Sequence, residues 1–151
     1  MSNASVHSLA EGLAVAGIIT PATTANSQRN TAAIDLSKWD QLLFIFQLGD
    51  MANEAIDFGV ETCDSDGTSN AVDITGKQAT QLAASASAND GKQVVIGVKS
   101  TDLIANGKQY VRGTMVTGGP TGGPAACVVL GIPRYGPASG VDLSSVVEIK
   151  P

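Results

Sequence analysis

A chain of 151 residues is the size of one domain and can bury roughly two thirds of its unfolded surface, so it folds without disulfide or metal staples. Its net charge of −5, with no basic run, argues against a nucleic-acid partner, because that affinity comes from Lys and Arg neutralising phosphates. Charged residues are only 15% of the chain against about 25% in ordinary soluble domains; a surface of Ser, Thr, Asn, Gln, Ala and Gly costs little to desolvate, which suits a protein covered by partners and equally one that simply uses neutral polar residues.

Residues 1–31 read as an extended N-terminal arm, small and polar around one apolar island that contains Leu13, Val15, Ile18 and Ile19. Leu9, Leu13 and Ala16 share a helical face that Gly12 and Gly17 weaken. Leu9–Ile19 lacks a basic flank and is interrupted by Glu11, so it does not read as a secretory signal. No run reaches the roughly 18 apolar residues of a membrane helix, and no membrane partner is expected.

Residues 32–151 read as a β-sandwich domain. Gln41–Leu48 is apolar on alternate and intervening positions, as a central strand covered on both faces would be. Ala55–Cys63 alternates, with Ile56, Phe58 and Val60 on one side and Asp57, Gly59 and Glu61 on the other. Asp64-Ser65-Asp66-Gly67 is a turn, Val72 and Ile74 mark a short strand, and residues 76–92 fit an edge strand, a helix or a loop. Gln93–Lys99 is a strand with Val94, Ile96 and Val98 inward. Asn106-Gly107 is a tight-turn signal before a strand at Gln109–Val116. Thr117-Gly118-Gly119-Pro120 and Thr121-Gly122-Gly123-Pro124 repeat as a Gly/Pro tip, because proline and paired glycines disrupt a ladder. Ala125–Ile132 and Val146–Ile149 complete the strands. Many short strands, frequent turns and no sustained helical period give an all-β sandwich or jelly roll with an extended N-terminal arm.

Catalytic groupings are scarce. His7 is the single histidine and lies in the presumed arm, where no scaffold holds it for a triad. Cys63 and Cys127 lack CxxC spacing, so neither a zinc site nor a disulfide framework is indicated. Cys127 reads as core, and Cys63 as a partly exposed strand end. The Asp64–Gly67 segment resembles the start of a calcium loop but lacks the closing Glu, leaving an Asx-type turn as the better reading. Asp57 and Glu61, with Glu54 nearby, could in principle form a glycosidase pair. The 4% aromatic content offers no sugar platform, and a solvated polar face is the simpler reading. The Gly/Pro tip lacks the Lys and following helix of a phosphate loop, so it is either a mobile hairpin tip or a contact loop. Arg112 is either a surface arginine or one partner of a subunit contact. No cofactor, metal or enzymatic activity is expected.

Ala33-Ile34-Asp35-Leu36, the apolar strand closing at Gly49, and the strand Ala55–Cys63 running into an Asp/Ser/Gly turn come in a telling order. Leu103…Gly107…Tyr110-Val111-Arg112 follows, and then Val129-Leu130-Gly131 runs into Pro133-Arg134-Tyr135…Pro137. Across residues 34–137 this order resembles the capsid cement (decoration) proteins of tailed bacteriophages. The resemblance implies a jelly-roll-like, non-enzymatic virion protein on the outside of an icosahedral shell, made in the bacterial cytoplasm. It would clamp neighbouring major capsid subunits and associate with itself as a homodimer or homotrimer. Candidate interface residues are Leu13, Val15, Ile18, Ile19, Arg112, Thr117, Pro120, Thr121 and Pro124. The alternatives are a receptor- or glycan-binding module of a phage tail or fibre, and a low-copy head-completion or tail protein.

Overall fold

The computed structural model describes residues 9–51, 54–83, 89–103, 107–119, 122–138 and 141–150. Two antiparallel sheets pack face to face. Sheet A has the order β1–β9–β4–β7, built from β1 (Ala14–Thr24), β9 (Gly123–Pro133), β4 (Trp39–Leu48) and β7 (Gln93–Lys99). Sheet B has the order β2–β8–β5–β6, built from β2 (Ser27–Asn30), β8 (Tyr110–Thr117), β5 (Ile56–Cys63) and β6 (Val72–Gln78). The two-residue β3 (Ile34–Asp35) continues the β2 edge along β8.

Counting β2 and β3 as one interrupted strand leaves eight. The first then pairs with the last, the second with the seventh, the third with the sixth and the fourth with the fifth. That nesting is the winding of a jelly roll, in which one long antiparallel ribbon is rolled so that its two layers become the two sheets. The sandwich and jelly-roll expectation is met.

The strands follow their period-2 patterns. Ile56, Phe58 and Val60 face Met51, Ile74, Met115 and Val111 in one continuous buried cluster that also takes in Leu42, Phe44, Phe46 and Leu48 of β4. Phe46 and Phe58 close the gap between the sheets with ring centroids 4.9 Å apart. Room for these rings comes from the facing strand: a Cβ on Gly113 would lie 2.8 Å from Phe44. β7 turns Ile96 and Val98 inward and Val95 outward, as its alternation requires.

The arm expectation is corrected for residues 14–30. β1 is a full edge strand of sheet A and β2 an edge of sheet B. The small residues that made this stretch look like an arm are what lets it pack: Gly17 stands opposite Val129 in register, and Ile34 lies against it. A bulge between Ile19 and Ala22 accommodates Pro21, which an edge strand tolerates. Arg29 of β2 reaches back and donates to the carbonyls of Thr20, Ala22 and Ala125, which clamps β2 onto the strand beside the bulge. Only Leu9–Gly12 of the expected helical face is helical, in a single turn. Val146–Ile149 forms no strand; Val147 is 99% exposed. The expected arm residues 1–8, with His7, lie outside the described residues, as do Asn106, Pro120 and Thr121.

Candidate interaction surface

In an antiparallel sandwich each sheet has one face in the core and one in water, and the water face is ordinarily polar. Residues directly opposite in register share a face, so the outer face of sheet A can be read row by row. One row is Ile18, Val128, Ile45 and Val95, running across all four strands. The next is Val15, Leu130, Leu43 and Gly97. Beyond them lie Ile132, Gln41 and Lys99 at one end, and Ala126, Gln47 and Gln93 at the other. Two complete central rows of a solvent face are therefore aliphatic or glycine. Val95 is 57% exposed, Val128 and Ile132 41% each, and Leu43 39%.

β4 is central, as expected, but its second covering layer is not supplied by the described residues. Leu43 and Ile45 are turned away from the core, and the apolar run that suggested a doubly covered strand is half core and half surface. Contiguous exposed apolar patches of this kind mark interaction sites on soluble proteins.

At the Lys99 end, Leu13, Leu43, Leu130 and Ile132 help to line a pocket of about 420 Å³ that also touches Lys77, Lys99 and Asp102. Its one carboxylate is answered locally. Asp102 accepts from the Lys99 backbone N–H at 2.8 Å and pairs with the Lys77 ammonium at 3.2 Å. The Lys99 N–H, and to a lesser degree Lys77, hold the Asp102 carboxyl below its ordinary range against the opposing effect of burial. These residues make an apolar hollow edged by the Lys77–Asp102 pair and by Lys99.

The expected interface residues separate into groups. Leu13, Val15 and Ile18 come together on this outer face or its pocket. Ile19 is buried opposite Cys127 and is core. Thr117 is buried too, its Oγ1 3.1 Å from Thr24 Oγ1. Arg112 is neither a surface arginine nor free for a neighbour. It is 6% exposed, pairs with Glu61 at 2.7 Å and donates to the Gly67 carbonyl at 2.6 Å. Pro124 is half-buried against Gly49.

The described part of the Gly/Pro tip is pinned. Asn26 Oδ1 accepts from Gly119 N, Asn26 N donates to Gly119 O, and Gly118 N donates to Ala55 O. Gly122 has φ +66° and would place a Cβ 2.2 Å from the Thr24 carbonyl, so only glycine fits there. These glycines serve close packing of the tip onto the β1–β2 turn.

The remaining chemical candidates resolve as structural groups. Asp66 Oδ1 accepts from the N–H groups of Thr68 and Ser69, and Gly67 has φ +75°, which makes the segment an Asx-type turn. Asp64 is held by Lys108 and Asn70. Asp57 accepts from Gln81 at 2.8 Å and Glu61 is taken by Arg112, so the carboxylates on the polar face of β5 are each separately engaged. Both cysteines are unpaired thiols and buried; Cys63 is fully buried rather than partly exposed. Burial pushes the Cys127 thiol up to about 12. Among the described residues no group of three or more His, Cys, Asp and Glu could hold a metal, and no helix is long and apolar enough to cross a membrane.

The chain matches no protein-family model and no curated protein. What the sequence pattern missed is the continuity of the outer apolar rows. Its signal is present in the excess apolar positions of β4, which suggest a strand covered on both faces, and in Val95 of β7 and Val128, Leu130 and Ile132 of β9.

Proposed function

We propose that this chain is a non-enzymatic structural virion protein that binds the outside of an icosahedral phage capsid as cement. The observation that carries this reading is the apolar outer face of sheet A. A sandwich that worked alone in water would make that face polar, as it does on sheet B. The order of motifs across residues 34–137 supports the same reading through its resemblance to phage cement proteins. The low charge of the chain supports it too, since a neutral polar surface is cheap to desolvate on many sides at once.

The mechanism is linkage. A protein that binds the assembled shell and not loose subunits stabilises the shell by mass action. Modest contacts repeated by symmetry then add to a large resistance against opening. Quantitative mass spectrometry of purified virions from the source tests this. A copy number approaching that of the major capsid protein is expected. A handful of copies per particle would move the chain to a tail or vertex, and absence from particles would remove it from the virion.

A further inference from the structure

We propose that the hollow at the Lys99 end of sheet A is a binding site for a medium-chain aliphatic monocarboxylate, held by its head at Lys99 and Gln41 and by its tail over Gly97. The inference goes beyond the virion reading and does not rest on it.

The floor of the hollow is the first argument. Gly97 ends the row Val15, Leu130, Leu43 and Gly97, in which its three neighbours carry aliphatic side chains. A glycine inside a strand weakens it, and often marks a place where another molecule comes close to the backbone. The other glycines of the described strands have internal reasons. At Gly17, Gly59, Gly113, Gly123 and Gly131 a Cβ would lie within 2.8 Å of a side chain of the same protein, and Gly76 has φ +77°. A Cβ at Gly97 meets nothing within 4 Å, and its φ is not positive. The chain's own packing leaves this one glycine unexplained.

Charge is the second argument. The hollow is lined by two ammoniums, Lys77 and Lys99, and one carboxylate, Asp102. Lys77 pairs with Asp102 at 3.2 Å, which leaves one positive charge, at Lys99, on a chain of net charge −5. Gln41 lies directly opposite Lys99 in register. Neither side-chain head has a hydrogen-bond or ion-pair partner among the described residues. Opposite side chains on one face stand about 5 Å apart at Cβ, so the ammonium and the amide N–H can both donate to one carboxylate. One positive charge matches a monoanion.

The walls settle the rest of the ligand. Leu13, Leu43, Leu130 and Ile132 enclose about 420 Å³, within the roughly 300–1,000 Å³ of small-ligand clefts. From Lys99 a tail can cross Gly97 to the exposed Val95 in two steps of about 6.8 Å along β7. A peptide laid on the same face would bring amides that need partners. β4 and β9 each lie between two neighbours, so their backbone groups are spent in the ladder. An aliphatic chain with a single anionic head needs only the partners that Lys99 and Gln41 supply.

Titration of decanoate into the purified full chain, followed through its amide NMR spectrum, tests this. Saturable binding with a Kd of about 1 mM or tighter is expected, with shifts centred on Leu43, Gly97, Lys99 and Leu130. Decylamine is expected to bind about tenfold more weakly, although an acidic chain would otherwise favour the amine. Gly97→Val fills the hollow with a side chain that strands favour, and is expected to weaken decanoate about tenfold in a protein that stays folded. Lys99→Met, at an exposed position, is expected to erase the preference for decanoate over decylamine, and keeps the test open should Gly97→Val unfold. Absence of saturation would overturn the inference. So would shifts spread over the whole outer face that survive Gly97→Val, the mark of a detergent-like coating, or a preference for the acid that survives Lys99→Met. A short apolar–acidic peptide that shifts Gly97 where decanoate does not would replace the carboxylate with a peptide partner. Copy number in particles tests the cement reading separately, so the two can fail independently.

Discussion

The two outer faces of the sandwich solve the same geometric problem in opposite ways. Sheet B places Arg112 opposite Glu61, Glu61 opposite Asp73, and Val116 opposite Asp57. It then ties these positions together: Gln28 donates to Thr114 at 2.9 Å, Arg112 pairs with Glu61, and Gln78 lies over Gly59 and donates to the Val60 carbonyl. Sheet A has the same strand count on its jelly-roll path but leaves two aliphatic rows bare. Among the described residues, one outer face is tied together by its own side chains and the other stays apolar. The difference teaches that a strand's apolar content need not report burial within its own domain.

The sharpest way to break the comparison is to unfinish sheet B. Arg112→Met leaves Glu61 largely buried without its cation, and unfolding in urea should show a loss of about 3 kcal/mol. Adding Glu61→Leu to that variant should recover much of the loss, since removing both charges is far cheaper than removing one.

A smaller effect is expected on the bare face. Leu43→Gln, measured in dilute protein, should change the unfolding free energy by about 0.5 kcal/mol or less, because the side chain is already 39% exposed. It should nevertheless reduce binding of a hydrophobic dye. A loss as large as that of a core truncation would mean that Leu43 is covered within the single chain and that the face is not bare.

Acid sharpens the contrast further. Hydrogen bonds, first from Ser69 and then from Thr68, hold the Asp66 carboxyl well below its ordinary value of 3.8, and Lys108 and Asn70 lower Asp64 in the same way. Folding lowers these pKa values, so their contribution is fully present above the unfolded carboxylate pKa and is lost as pH falls through the folded ones. The melting temperature should therefore fall below about pH 4, and Asp66→Asn should flatten that fall more than Asp102→Asn on the sheet A side.

The least effect is expected at the thiols. Cys63 of sheet B and Cys127 of sheet A are both buried, and burial raises both pKa values. Neither should react with a thiol reagent at neutral pH until its sheet opens. Reaction of Cys127 alone under native conditions would show that sheet A opens independently.

Much of the fold was legible in the sequence because period-2 alternation is a local signal. Ile56, Phe58 and Val60, and Val94, Ile96 and Val98, needed no tertiary knowledge to be placed inward. The N-terminal strands were not legible, because β1 is held by long-range register with β9 and by Arg29, neither of which leaves a mark in residues 14–24. Arg112 was misjudged for the same reason: its partners Glu61 and Gly67 lie 51 and 45 residues away. Of the apolar outer face, the sequence pointed to Val15 and Ile18 through the apolar island. It could not align them with Leu43, Ile45, Val128 and Leu130, since those two rows exist only once four strands are in register.

The stapled bulge on β1 bears on how far any assembly of this chain can grow. A β-sandwich with an open edge can add strand to strand without limit and end as a fibre. Here Pro21 withholds a donor, Arg29 occupies the bulge carbonyls of Thr20 and Ala22, and the backbone of Val15 is already taken by Asp142 and Leu143. This margin of the sheet is closed to edgewise polymerisation, so growth of sheet A by added strands could begin only at its other edge, β7.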